Sequence, residues 1–298
     1  MLNAGAGSIQ GRKAAEFADL VRTGLEARGL DAEVRLASGD AIVSGVRAFL
    51  NKARAYVEAA TVVVGGGDGT VSAVAAQLAD TDGVLGVLPL GTLNHFAKDL
   101  GIPVDLGAAM DVIKAGNVRK VDAADVNGRV FVNNSSIGIY PFLVTERTAE
   151  QHRRGVGKLA AIGPALMRTV RGSSWQTVKI TAQGETREVR TPCVFVGNNF
   201  YDLANLGRRS GMASGELCVY VVKDASWLGL AILPFRIVCG LARSDRDVEL
   251  HRVKSLTIRA GRSKMLVATD GETFSEPAPL SYRIRPGALR VLAPEPAL

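Results

Sequence analysis

Four glycines, an aspartate and a threonine stand together at Gly65-Gly66-Gly67-Asp68-Gly69-Thr70. The β-branched run Thr61 to Val64 precedes them and an apolar run from Val71 to Leu78 follows. Strand, glycine-rich turn and helix are expected in that order. Glycine admits positive φ and lets a ligand come close to the backbone, and the unpaired amides of a helix start favour an anion. The segment therefore reads as a phosphate cradle. It is not a Walker A loop, because no Gly-Lys-Ser/Thr follows, nor the dinucleotide fingerprint, because Thr70 fills the third glycine position. A tight turn that binds nothing would need fewer glycines and no Asp. A second turn, Pro89-Leu90-Gly91-Thr92, follows the strand Val84 to Leu88 and precedes a helix from Asn94 to Leu100. A third, Asn3 to Ser8, opens the chain. Parallel strands would place all three at one C-terminal edge, where α/β ligands bind. Three such turns suit a polyphosphate.

A further carboxylate pair, Asp270 and Glu272, flanks Gly271 after the strand Met265 to Thr269. Phosphoryl transfer needs positioning, charge neutralisation and a carboxylate that accepts the acceptor hydroxyl's proton. Asp-Gly is equally the sequence of a hairpin turn, so the residues alone leave both readings open. A lone histidine near a helix start, His95, suits packing or capping as well as ligation.

The elements that must hold these residues change character along the chain. Lys13 to Arg28 has helical spacing of apolar residues with Gly29 as a stop, Ala32 to Leu36 reads as a strand, and Ala41 to Val57 and Leu106 to Ala115 read as helices. Such alternation predicts a parallel α/β sheet. Only Met1 and Leu2 precede the first turn, so a start upstream of Met1 is expected in place of a stub strand. Beyond a boundary near Arg119, strands dominate: Val130 to Asn133, Gln176 to Ala182, Thr186 to Val196, Leu217 to Val222, Ser255 to Ala260, Met265 to Thr269, Leu280 to Arg285 and Leu289 to Ala293. Their apolar-polar alternation is that of half-buried antiparallel strands. The expected organisation is an α/β domain over 1–119 and a β-rich antiparallel sandwich over 120–298, with the C-terminal tail able to pack back on the first domain. A long helical segment, Pro141 to Val170, interrupts the strands. Its part from Glu146 to Arg171 carries Arg147, Arg153, Arg154, Lys158, Arg168 and Arg171 against Glu146 and Glu150. Such a helix either lies on an anionic bilayer or packs one face on the core.

Composition narrows the classes. The chain has 298 residues, 47% hydrophobic and 22% charged, ordinary for a folded globular protein and enough for two cores. Lys and Arg exceed Asp and Glu by seven, which suits an anionic partner without choosing one. Aromatics are 5%, with no basic-aromatic interleaving, so single-strand nucleic-acid binding is disfavoured, and no nucleic-acid partner is expected. Cys193, Cys218 and Cys239 are odd in number and dispersed, which excludes a disulfide framework and points to a reducing cytoplasm. The N-terminus has no apolar signal region. The apolar stretch from Trp227 to Ala242 is broken by Pro234 and Arg236, short of a membrane span; it either lines a lipid pocket or packs in a core.

GGGDGT, PLGTLNHFAKDLGIP, VNGRVFVNNSSIGIY and the late ATDGE resemble the diacylglycerol kinase catalytic-domain family of bacterial lipid kinases and sphingosine kinase, related in fold to NAD kinase. The resemblance runs over nearly the whole chain. It implies an ATP- and Mg2+-dependent lipid kinase whose default acceptor is diacylglycerol; the basic segment adds the expectation of peripheral association with an anionic membrane. It implies nucleotide contacts from Asn3, Ser8, Gly66, Gly67, Asp68, Gly69, Thr70, Thr92 and Asn94, catalytic carboxylates at Asp270 and Glu272, and magnesium-linked acids at Asp68 and Asp122. The sequence departs from the pattern where His95 replaces an Asp of the magnesium network, for which Asp99 one turn later could substitute. It departs again at Ser214, where an Asp of a second, structural metal site is expected. Kinase action on a soluble hydroxyl such as that of NAD, and a non-catalytic nucleotide- or lipid-binding role, are the competing readings. A homodimer is left open.

Overall fold

The computed structural model describes residues 1–6, 9, 14–53, 60–142, 144–145, 175–202, 208–209, 211–223 and 248–295. The basic segment 146–171, the apolar stretch 227–242 and Ser8 lie outside the described residues. The chain forms two compact units, Met1–Ala123 with Pro286–Leu298, and Ala124–Arg285.

The first unit is built on parallel strands. In chain order they are β1 (Leu2–Asn3), β2 (Leu36–Ala37), β3 (Thr61–Gly66) and β4 (Val84–Pro89), in the spatial order β2-β1-β3-β4. Arg290 and Val291, from the end of β18 (Leu280–Leu292), pair parallel with Val84 and Leu85 of β4. β4 is buried along its whole length, as parallel strands covered on both faces are. The unit's longer helices are α1 (Ala14–Glu26), α2 (Asp40–Ala53), α3 (Asp68–Leu78) and α5 (Leu106–Ala115); α3 and α5 pack on β4, α1 lies against α5 and β2, and α2 against α3. Each turns an apolar stripe inward: Phe17, Val21 and Leu25; Ile42 and Val46; Val71, Val74 and Leu78; Met110 and Ile113. The bounds of α5 follow from its ends. Asp105 Oδ1 accepts the Ala108 amide at 2.9 Å, and Gly116 closes the helix at φ +69°. The short α4 (His95–Asp99) follows the second glycine turn.

The second unit is a two-sheet sandwich. One sheet has the order β14-β13-β10-β7-β16-β17, all antiparallel: β14 (Val248–Val253), β13 (Leu217–Val222), β10 (Cys193–Asn198), β7 (Asn134–Gly138), β16 (Lys264–Thr269) and β17 (Glu272–Pro277). The other joins β15 (Ser255–Ala260) to the first half of β18 on one side and to β8 (Gln176–Ala182) on the other, with β9 (Glu185–Thr191) beyond β8. The end of β5 (Val118–Val126) pairs with β6 (Arg129–Phe131). Ile137, Val194, Val196, Leu217 and Val267 from the first sheet meet Val178, Leu256, Ile258, Leu280 and Tyr282 from the second in one core. A two-stranded piece, β11 (Tyr201–Asp202) and β12 (Arg208–Arg209), stands apart from both.

Several expected elements are redrawn. The strand expected over Thr186 to Val196 is two strands broken at Pro192, and they belong to different sheets. Proline has no amide hydrogen to give a ladder, and the chain changes sheet there. The two strands expected after Leu280 are one. Gly287, at φ +61°, gives its amide to Asp122 Oδ1 at 2.8 Å, so the chain passes Pro286-Gly287 without leaving the sheet. The strand expected from Ala32 shrinks to Leu36–Ala37. β14 and β17 escape the sequence reading because they are edge strands of polar sequence. β5 escapes it because Asp122 and Asp125 interrupt its apolar run while staying buried. Asp125 is held by Arg285 Nε at 2.7 Å and the Gly128 amide at 3.1 Å.

Ile258 is fully buried in the sandwich core. Ile258→Ala is expected to cost about 2–5 kcal/mol of stability, read as a lower urea midpoint at unchanged slope. A loss under about 1 kcal/mol would place Ile258 outside the tightly packed core.

Candidate functional site

In the first unit, three turns at the C-terminal ends of β1, β3 and β4 are tied to one another. Asn3 Nδ2 donates to Thr70 Oγ1 at 2.7 Å, joining the first turn to the start of α3. The Phe96 amide donates to Asp68 Oδ1 at 3.2 Å, joining α3 to α4. Gly67 and Gly91 pack backbone against backbone: a Cβ built on Gly91 would lie 2.4 Å from the Gly67 Cα and 2.7 Å from Asn94 Oδ1. Only glycine allows that approach.

Helix α3 starts at Asp68 behind an extended Gly67 whose position supplies no side-chain cap. The amides of Asp68, Gly69 and Thr70 thus form the first turn of an uncapped helix, the arrangement that attracts phosphate. These residues are half-buried, Gly66 is buried and Thr92 is exposed. Asn94 is buried in the left-handed region at φ +53°, and its side chain works on its own turn. It accepts the Gly91 amide at 2.9 Å and donates to the carbonyls of Gly91 at 2.8 Å and Pro89 at 3.2 Å. Its described bonds shape the loop. His95 is exposed at the start of α4 and Asp99 is half-buried one turn on.

Asp68 Oδ2 has no described hydrogen bond, and a carboxylate oxygen beside a phosphate cradle is the donor magnesium takes alongside phosphate oxygens. The donor chemistry fits that ion. Among the described residues no three or more His, Cys, Asp or Glu cluster as a metal cage. Asp122, on β5, is 2% exposed, and its described bond is to the Gly287 amide of β18.

In the second unit, Asp270 follows the last paired residue of β16. Thr269 pairs with Glu272, and Asp270 and Gly271 form the two-residue loop at φ +47° and +87°. Both positive angles make this a type I′ hairpin turn. The carboxylate is nevertheless built into a site. Asp270 Oδ2 accepts the Val132 amide at 2.9 Å, and Oδ1 accepts those of Asn133 at 2.9 Å and Asn134 at 3.1 Å. The Asp270 amide returns to the Asn134 carbonyl at 2.9 Å. Turn and functional carboxylate, alternatives in the sequence, coexist. Three donated amides spread over both oxygens stabilise negative charge and fix the plane of the group. Glu272 is exposed at the start of β17.

The residues that hold Asp270 were not singled out from sequence: Val132, Asn133, Asn134, and behind them Asn198, Tyr201 and Arg209. A signal existed. Asn-Asn occurs at 133–134 and again at 198–199, and apolar strands that carry paired amides must satisfy them internally. Buried thiols offer no competing chemistry. Burial pushes Cys193 up to about 12 and Cys218 up to about 11, so both stay protonated at neutral pH.

Comparison with known proteins fits this geometry. Residues 1–126 match the family described as diacylglycerol kinase catalytic domain, and residues 143–293 match the YegS C-terminal NAD kinase beta sandwich-like domain. A Pseudomonas fluorescens protein named "Probable lipid kinase YegS-like" is 31% identical over 297 residues, covering 92% of this chain and 91% of its own. The Escherichia coli protein named "Probable lipid kinase YegS" is 36% identical over 220 residues, covering 70% and 66%. A crystal structure from Bacillus anthracis, described as a diacylglycerol kinase, superposes with a TM-score of 0.70 at 21% identity, covering 100% of this chain and 96% of that one; at that identity it shows the fold. The chain belongs to the diacylglycerol kinase catalytic-domain family and is a lipid kinase, an enzyme class that takes its phosphoryl group from ATP.

The Gly67–Gly91 approach yields a test. Gly91→Ala must push the two turns apart, and we expect ATP affinity to fall by at least about tenfold, the 1.4 kcal/mol scale of one lost good contact. Gly261→Ala, whose Cβ meets nothing within 4 Å, is the control and should bind ATP normally. Calorimetric titration of both variants decides it; equal affinities would mean that the joined turns do not carry the nucleotide.

Proposed function

We propose that this enzyme transfers the γ-phosphoryl group of ATP to the free hydroxyl of diacylglycerol, giving phosphatidic acid. The observation that carries the reading is the Asp270 carboxylate, held by the amides of Val132, Asn133 and Asn134. The match of residues 1–126 to the diacylglycerol kinase catalytic domain supports the acceptor.

The amides of Asp68, Gly69 and Thr70 bind phosphate oxygens, with Gly66 and Gly67 leaving room for them and Asn3 holding Thr70 in place. Thr92 offers a hydroxyl from the second turn, and Asn94 keeps that turn folded. Asp68 would hold magnesium, which when bound neutralises charge on the phosphates, while the buried Asp122 ties β5 to the Gly287 amide. Asp270 accepts a hydrogen bond from the acceptor hydroxyl and so orients its oxygen. An alcohol is far too weak an acid for a carboxylate to ionise beforehand, so the proton passes to Asp270 late, as the new phosphorus–oxygen bond forms. Glu272, exposed beside it, supports from outside that contact.

The setting belongs to the same proposal. A net charge of +7 draws the protein to an anionic membrane face, and among the described residues no helix is long and apolar enough to cross a membrane. The enzyme would act in the cytoplasm at the membrane surface, on lipid rather than nucleic acid.

Incubation with labelled ATP, magnesium and a total lipid extract, with NAD added as a soluble competitor, tests the reading. Label is expected in phosphatidic acid, identified by mass spectrometry. Label in NADP, or no transfer, would contradict it. In the same assay Asp270→Asn is expected to lower transfer by roughly 10²–10⁴-fold while ATP affinity holds.

A further inference from the structure

The peptide groups that hold Asp270 have a second set of partners. In a trans peptide the carbonyl and the amide point in opposite directions. The Val132–Asn133 peptide gives its amide to Asp270 Oδ1. Its carbonyl accepts from Arg209 Nη1 at 2.6 Å and from Asn198 Nδ2 at 2.9 Å. The next peptide repeats the pattern: the Asn134 amide goes to Asp270, and the Asn133 carbonyl accepts from the Tyr201 hydroxyl at 3.0 Å and the Asn198 amide at 2.9 Å. Arg209 also donates from Nη2 to Asn133 Oδ1 at 2.9 Å, and its guanidinium carbon lies 5.6 Å from the centre of the Tyr201 ring.

Arg209 is 9% exposed, Asn133 6% and Asn198 fully buried. A buried guanidinium is costly unless its charge meets an acceptor or an anion. Here one peptide group lies between a cation on its carbonyl side and the Asp270 anion on its amide side. Each bond polarises the peptide and strengthens the other. We infer that Arg209 is a positioning residue for Asp270, acting through the Val132–Asn133 peptide. It fixes residues 132–134, whose amides set the plane and height of the carboxylate. The inference rests on the reading of Asp270 as the group that takes the acceptor's proton.

A double-mutant cycle separates this role from fold support alone. The assay is transfer of label from ATP into total lipid extract, with kcat and the KM for ATP measured for each full-length variant. Arg209→Gln keeps a donor but removes the charge. Its kcat is expected to fall about 10- to 100-fold, the size of a small misplacement of a reacting group, with the KM for ATP nearly unchanged. Arg209→Lys, which keeps the charge and one donor, should lose less. If Arg209 acts through Asp270, adding Arg209→Gln to Asp270→Asn costs nothing further. Should Arg209→Gln fail to fold by circular dichroism, the cycle runs with Arg209→Lys. Additive losses, or an unchanged kcat in the Arg209 variant, would overturn the inference while leaving Asp270 as proton acceptor. A normal rate in Asp270→Asn would overturn the Asp270 reading and this inference with it.

Discussion

Three consecutive backbone amides, those of Val132, Asn133 and Asn134, converge on the carboxylate of Asp270, and much of the second unit exists to make that possible. The amides can converge only because the chain bends between β6 and β7. The carboxylate can reach them only because β16 runs antiparallel to β7 and stops one residue short, at the Thr269–Ser135 pair. The left-handed Asp270 and Gly271 then turn the chain at once, so the side chain falls at the start of β7. A register slip of one residue would send Asp270 to the opposite face of the sheet. Two lines of packing guard that register: the core from Ile137 to Tyr282 and the polar set of Asn198, Tyr201 and Arg209 behind residues 132–133.

The first unit uses backbone for the same purpose with opposite charge logic. There the amides of Asp68, Gly69 and Thr70 form an uncapped helix start, where in the second unit amides are given to an anionic side chain. Both arrangements sit at strand ends, where amides run out of ladder partners. In the first unit the shaping residues are Gly67 and Gly91, which meet backbone to backbone, and Asn94, whose side chain bonds within its own turn. The turns owe their shape to glycine at the points of closest approach and to a left-handed Asn whose side chain closes its own loop.

Legibility in the sequence follows which atoms do the work. The parallel half was readable because buried strands are continuous apolar runs and glycine-rich turns carry their geometry in their composition. α5 was readable to its ends because Asp105 and Gly116 are side-chain signals for backbone events. Asp270 was visible as a residue, but its holders were not, since they act through peptide groups that every residue possesses. Edge strands β14 and β17 were missed because their sequences are largely polar. β5 was missed because Asp122 and Asp125, polar by composition, are satisfied by an amide and an arginine distant in sequence. The break at Pro192 shows the converse case. One residue decides that two adjacent strands enter different sheets, and only the tertiary context says which.

The central claim is that Asp270 and residues 132–134 form one locked unit. Amide hydrogen exchange resolved over 131–135 tests it most directly, in the wild type and in Asp270→Ala. The account predicts slow exchange at Val132, Asn133 and Asn134 in the wild type. In the variant those three amides should exchange fast, while β10 and β13 stay as protected as before. Equal exchange at 132–134 in the two proteins would contradict it.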